Sequence, residues 1–365
     1  MPAFAVTPEQ QDLRASVRRF LADRSPEAEV RRLSDTEQGF DPDVWKRMAG
    51  QLGLQGLGIP EEFGGAGAGH VELGIVLEEM GRALLCAPFL STVGLAANLL
   101  LTSGDRAAQA RYLPGIAEGG TVATVAVSAA GLPGAGVVAR RTDDGWRLTG
   151  TEPYVLDGHV ADLVLVPART TAGVALFAVE REASGLGRTL LTTADRTRRQ
   201  ARLTFTDTPG APLDGGLPAV ERMLDLAAIA LASEQAGGAA RALEMSVGYA
   251  KTRVQFGRAI GSFQAVKHLC ADLLLESESA TSAARYAASA ADEDAPDLPA
   301  LASLVRFSCS DSFVKVAADT IQIHGGIGFT WEHPAHLYLR RARTSALLLG
   351  DPAFHRERYL RRTGV

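Results

Sequence analysis

Apolar residues near the start of the chain recur at helical spacing: Leu13, Val17, Phe20 and Leu21. They follow Thr7-Pro8-Glu9-Gln10, in which a threonine N-cap, a proline at the first helical position and a capping-box glutamine predict an amphipathic helix. After the turn-rich stretch Ile59-Pro60-Glu61-Glu62-Phe63-Gly64-Gly65, residues 71–85 return to the helical period, and helical character continues to about Gly119. From about Thr121 the pattern changes. Short apolar or alternating runs at 124–127, 163–166, 174–179 and 203–205 are separated by Gly, Pro, Asp and Thr clusters, which predicts a small β domain. From about Leu217 long Ala- and Leu-rich helices return, broken at Asp292-Glu293-Asp294-Ala295-Pro296. The order predicts an α+β chain: an N-terminal α-helical domain (1–119), a β-barrel-like middle domain (120–216) and a C-terminal four-helix-bundle-like domain (217–365). Residues 131–136 and 209–216 are the candidate flexible segments.

At 365 residues, 46% hydrophobic and 22% charged, the chain buries a large core and divides into two or three sub-domains. A net charge of −5 leaves no basic excess to neutralise a phosphate backbone, and the short Arg340, Arg341, Arg343 cluster does not change that. Nucleic acid is therefore not the expected partner. Cys86, Cys270 and Cys309 are far apart, with no CxxC pair and no histidine cluster nearby, so they read as buried reduced thiols rather than metal ligands. The start lacks a signal-peptide pattern, and no apolar stretch reaches the roughly 20 residues that span a bilayer. A cytoplasmic protein is the expectation.

Two stretches carry candidate chemistry. In Tyr249-Ala250-Lys251-Thr252-Arg253-Val254-Gln255-Phe256-Gly257-Arg258-Ala259-Ile260-Gly261-Ser262-Phe263-Gln264, a helix end, a turn at Gly257 and a new helix near Ser262 gather a guanidinium and several amides at one break. Either this is an anion or dinucleotide cradle, or Arg253 pairs with a surface carboxylate and the rest is packing. In Gln322-Ile323-His324-Gly325-Gly326-Ile327-Gly328-Phe329, adjacent glycines let backbone approach a ligand, or simply end a helix.

Together the two stretches resemble the acyl-CoA dehydrogenase family, with its Arg-x-x-Phe-Gly, then Phe-Gln, then Gln-x-x-Gly-Gly-x-Gly-Phe. The resemblance extends over nearly the whole chain, with Trp45 to Gly65 similar to the first-domain signature and Trp146 to Val166 to the flavin-side strands. It implies FAD lying between subunits, with Arg253, Gln255, Phe256, Ile260, Phe263 and Gln264 on one side of it. Gln322, Gly325 and Gly326 would reach the flavin held by a neighbouring chain. Two departures stand out. The family's Thr-Glu-Pro-Gly-Ala-Gly-Ser-Asp-like loop is replaced by a stretch beginning Val127-Ser128, and the Trp-x-Thr that backs the flavin ring is replaced by Tyr154-Val155-Leu156. Ser128, Tyr154 and Leu156 are the remaining candidate cofactor contacts.

Dehydrogenation beside a thioester needs a carboxylate to take the α-proton while the β-hydride passes to flavin. In the family this glutamate stands just before a glycine near the end, where this chain has Leu349 before Gly350, or on the helix leading to the Arg-x-x-Phe-Gly turn, where it has Ala227. Asp351 and Glu234 are the nearby substitutes, each with a surface or packing role as the alternative. The resemblance, sharpened by Leu156-Asp157-Gly158-His159 and by Gly328 to His333, therefore implies the base-less subunit of a heteromeric enzyme. Such an enzyme introduces an α,β double bond into a bulky acyl-CoA, for example a steroid side-chain CoA. A glutamate-bearing paralogue would complete an α2β2 heterotetramer, and an electron-transfer flavoprotein would reoxidise the flavin. Two other readings stay open: a lyase, dehydratase or other flavin reaction using His159, Asp351 or His324, and a non-catalytic stabilising subunit.

Overall fold

The computed structural model describes residues 6–127 and 136–365. The N-terminal domain is helical, as its periodicity predicts. Helix α1 (Pro8–Arg24) starts on the expected capping box: the Thr7 hydroxyl accepts the Gln10 amide at 3.2 Å, and the Gln10 side chain accepts the Thr7 amide at 3.1 Å. Helices α2 (Glu27–Ser34), α3 (Pro42–Leu52) and α4 (His70–Arg82) follow. A π-helical stretch, Leu90–Ala97, then runs into α5 (Asn98–Ser103), and α6 (Arg106–Ala117) closes the domain.

The middle domain comprises β1 (Ala123–Val125), β2 (Val137–Thr142), β3 (Gly145–Leu156), β4 (Leu163–Thr170), β5 (Gly173–Glu180), β6 (Leu186–Leu190) and β7 (Gln200–Leu213). Antiparallel pairing of β2 with β3, β3 with β7, β7 with β5 and β5 with β4, plus a parallel β4–β2 contact at Val138 and Arg169, closes a barrel. Its interior holds Val137, Leu148, Val155, Val166, Phe177 and Phe205. Much of the segment read as flexible, residues 209–216, is instead strand: β7 continues through Leu213 because Pro209 and Gly210 register with β3, and Ala211 to Leu213 with β5. Of the other candidate flexible segment only Gly136 lies within the described residues, and its amide donates to Glu152 at 3.2 Å.

The C-terminal domain packs α7 (Gly216–Thr252), α8 (Gln264–Asp292), α9 (Leu298–His324), α10 (Ala335–Leu347) and α11 (Pro352–Thr363), with strands β8 (Val254–Gln255) and β9 (Arg258–Ala259) between α7 and α8. Helices α4 and α7 touch backbone to backbone. A Cβ on Gly81 would lie 2.0 Å from the Glu234 carbonyl, and one on Gly237 would lie 1.9 Å from that of Glu78. This close crossing welds the first domain to the third. Cys86 and Cys309 are buried as expected, whereas Cys270 is only half-buried on α8. Among the described residues no helix is long and apolar enough to cross a membrane, and no cluster of three His, Cys, Asp or Glu could hold a metal.

Candidate functional site

Helix α7 ends where the Arg253 amide donates to the Tyr249 carbonyl at 2.8 Å. The plain turn expected at Gly257 is a two-stranded hairpin, in which Val254 pairs with Ala259 and Gln255 with Arg258. Phe256 (φ 52°) and Gly257 (φ 77°) form its tip, and a 3-10 turn at Ile260–Ser262 delays the next helix to Gln264. Arg253, Gln255 and Gln264 are exposed, Ile260 and Phe263 half-buried, and Phe256 is 90% exposed. The Arg258 guanidinium lies 4.0 Å over the Phe263 ring, which meets Phe256 edge-on at 6.1 Å. Among the described residues Arg253 has no carboxylate partner, which removes the surface-pair reading.

Helix α9 ends at His324, and Gly325 (φ 60°) opens the 3-10 turn Gly325–Phe329. Gln322, Gly325 and Gly326 are exposed, and a Cβ on either glycine would meet nothing within 4 Å. These glycines therefore relieve no internal clash; they leave bare backbone facing outward. Phe329 and Trp331 beside them are exposed as well, so an apolar, polar-tipped surface stands uncovered on the monomer.

A third feature is a cleft of about 620 Å³ between the barrel and the α10–α11 turn. Tyr154, Gln200, Leu347, Leu348, Gly350 and Asp351 line it. Tyr154 reaches it from a bulge in β3, where the register to β7 shifts between Glu152 and Val155. Leu156 does not reach it: that side chain is buried, and its carbonyl accepts the Thr124 hydroxyl at 2.6 Å. Ser128 lies outside the described residues. The turn is held from behind by buried Arg306, which donates to the carbonyls of Ser345 (2.6 Å) and Leu348 (2.5 Å). His355 donates to the Leu349 carbonyl at 2.9 Å; burial and Arg306 push its pKa down to about 4, so it is neutral.

The two positions where a base is expected are closed off. Ala227 is 0% and Leu349 5% exposed, and both belong to one apolar cluster with Phe89, Leu90 and Val93. Each substitute already has a structural role. Asp351 lines the cleft, but its Oδ1 accepts the Phe354 amide at 2.8 Å as the N-cap of α11. Glu234 is buried between Arg198 and Arg341, the latter at 2.9 Å, and Arg341 also meets Asp195 at 3.0 Å. Burial opposes ionisation of Glu234, but the two guanidiniums outweigh it and hold its pKa below the ordinary value. A carboxylate so held is a poor proton acceptor. His159 donates to the Gln38 carbonyl at 3.3 Å, and Asp157 accepts the Ser91 hydroxyl at 2.6 Å. Leu156-Asp157-Gly158-His159 thus clasps the barrel to the first domain.

The sequence reading missed Arg198, Arg306 and Arg341 as interior residues. A signal existed for Arg341: it shares a helical face with Leu337, Tyr338 and Ser345, all buried.

The chain belongs to the acyl-CoA dehydrogenase family. The family's N-terminal domain matches residues 7–120 and its C-terminal domain residues 214–364. Acyl-CoA dehydrogenase IpdE2 of Mycobacterium tuberculosis is 38% identical over 344 residues, 94% of each chain. Among solved structures, the ChsE4–ChsE5 complex from Mycobacterium tuberculosis superposes with a TM-score of 0.92 at 31% identity, covering 99% of this chain and 98% of that one. A steroid ACAD variant, Tcur3481–Tcur3483, gives 0.90 at 32% identity, covering 98% of each. The expected helical, β, helical architecture is the family's, and its enzymes are FAD-dependent oxidoreductases. The residues present fit that cofactor: exposed Arg253, Gln255 and Gln264 offer unspent donors, and Gly325 and Gly326 leave open backbone where it would approach.

Proposed function

We propose that this chain is the flavin-contacting, base-less subunit of a heteromeric acyl-CoA dehydrogenase that places an α,β double bond in a bulky acyl-CoA, a steroid side-chain CoA being the class. One observation carries the reading: both base positions are buried apolar residues, while the flavin motifs remain exposed and uncovered. Similarity to the ChsE4–ChsE5 complex and to a steroid ACAD supports both the mixed assembly and the substrate class.

Arg253, with Gln255 and Gln264, would hold the anionic middle of FAD, and Phe256, Ile260 and Phe263 would cover its apolar parts. Gln322, Gly325 and Gly326 would approach the flavin held by a neighbouring chain, and Tyr154 would present an aromatic face in the cleft. FAD, when bound, supplies the hydride acceptor. The α-proton goes to a glutamate of the paralogous partner, because Leu349 and Ala227 cannot accept it. The assembly is an α2β2 heterotetramer in the cytoplasm, with an electron-transfer flavoprotein as oxidant of the reduced flavin.

The test is anaerobic bleaching of flavin absorbance by a steroid side-chain CoA thioester. It uses the chain alone and co-expressed with a glutamate-bearing paralogue. Bleaching confined to the mixed complex is expected. Bleaching by the chain alone would overturn the shared site, and flavin bound but never reduced would overturn dehydrogenation.

A further inference from the structure

Tyr249, His324 and His333 form a column of tilted rings in contact. The ring centres of Tyr249 and His324 are 4.5 Å apart at 30°, and those of His324 and His333 are 4.2 Å apart at 42°. The first two rings belong to segments on which a proposed flavin contact depends, and the third braces them. The Tyr249 carbonyl accepts the Arg253 amide, so this residue roots the hairpin. His324 stands between Gln322 and Gly325. His333 follows the exposed Trp331 and leads into α10.

The backbone fixes the proton at Nδ1 of His324 and the lone pair at Nδ1 of His333. His324 Nδ1 lies 2.7 Å from the Thr320 carbonyl and must carry its proton there, while His333 Nδ1 accepts the Ala335 amide at 3.2 Å and must be bare. A second proton on His333 would point a donor at the Ala335 N–H. It would also place a cation against a second imidazole, His324, with Arg31 of α2 already facing it; Arg31 and Arg340 of α10 both face the neighbouring His336. Among the described residues Glu27 of α2 is the carboxylate that opposes them there. The neighbouring His336 ring packs on Trp331 at 4.7 Å and adds another titratable group.

We propose that this column positions the Arg253 hairpin and the Gln322–Gly326 loop relative to each other, and that protonation of its imidazole pair opens it and loosens the flavin. The proposal rests on the flavin reading above. Burial holds both imidazoles below the ordinary value of 6.5, aided at His333 by the facing His324. The sign follows: the closed column binds fewer protons than free imidazoles, so it is fully stable above about pH 6.5 and is lost as pH falls through the depressed values.

The experiment follows flavin fluorescence on release from the co-expressed complex between about pH 8 and about pH 5. Release in the lower half of that range is expected for the wild type. His333→Phe keeps a ring and removes the proton site, and should move the release midpoint down by about one pH unit or more. His333→Gln keeps an acceptor for the Ala335 amide but removes the ring. It should bind FAD roughly three- to tenfold more weakly at about pH 8, with a flattened pH dependence. A wild-type complex that keeps its flavin throughout, or a His333→Phe complex with an unmoved midpoint, overturns the proposal. A complex that holds no flavin even at the alkaline end overturns the flavin reading itself.

Discussion

One helix, α7, serves both the closed interior and the open lip of the molecule. At Ala227 it packs into the cluster that swallows Leu349, and neither of those side chains can take a proton. Roughly 38 Å further along the same helix, at about 1.5 Å per residue, it ends in a hairpin with Phe256 almost wholly exposed and, among the described residues, no carboxylate partner for the Arg253 guanidinium. The interior is closed over by its own side chains, whereas the lip is left open on the surface. On the proposed function, binding and proton transfer occupy separate places on one scaffold, so a chain can give up the second without disturbing the first.

The strongest way to break this separation is to restore a base. Leu349→Glu puts a carboxylate into an apolar cluster at a backbone position already at φ 56°. It should cost about 4 kcal/mol or more in urea unfolding, and give no flavin bleaching by the chain alone. A stable variant that bleaches would show the interior to be an active site one residue short.

Glu234→Gln tests whether the buried charges are framework. It leaves Arg198 and Arg341 facing a neutral amide and should cost about 3–5 kcal/mol by the same measurement. Because the folded state holds Glu234 below its ordinary value of 4.5, its stabilisation is full above that pH and fades as pH falls through the folded value. Comparing acid unfolding of the two proteins should show that component missing from the variant. At the lip the expectation is reversed. Arg253→Ala should leave unfolding unchanged and weaken FAD in the mixed complex by about 1.5–3 kcal/mol, roughly ten- to a hundredfold, in a flavin titration.

The lip was legible in the sequence because it consists of consecutive residues whose types and spacing are local. The same holds for the Thr7 capping box and the break at Asp292 to Pro296, where turn chemistry is written in adjacent residues. The interior was less legible. Arg198, Glu234 and Arg341 meet across three elements, and the Arg340 to Arg343 run reads as a surface patch until α10 turns one member inward. The barrel's continuation through Pro209 to Leu213 was hidden for the same reason: partners in β3 and β5, and not local propensity, hold that segment extended.

Asp351 offers the smallest effect and separates the two regions most finely, since this carboxylate both lines the cleft and does structural work. If it only caps α11, Asp351→Ala should cost about 1 kcal/mol, Asp351→Ser and Asp351→Asn should recover most of that, and the rate of flavin bleaching in the mixed complex should not change. If it takes the α-proton, the serine and asparagine variants would be as stable as the parent yet would bleach orders of magnitude more slowly, because neither side chain is a base near neutral pH. Stability and bleaching measured on the same three variants therefore assign this carboxylate to framework or to chemistry.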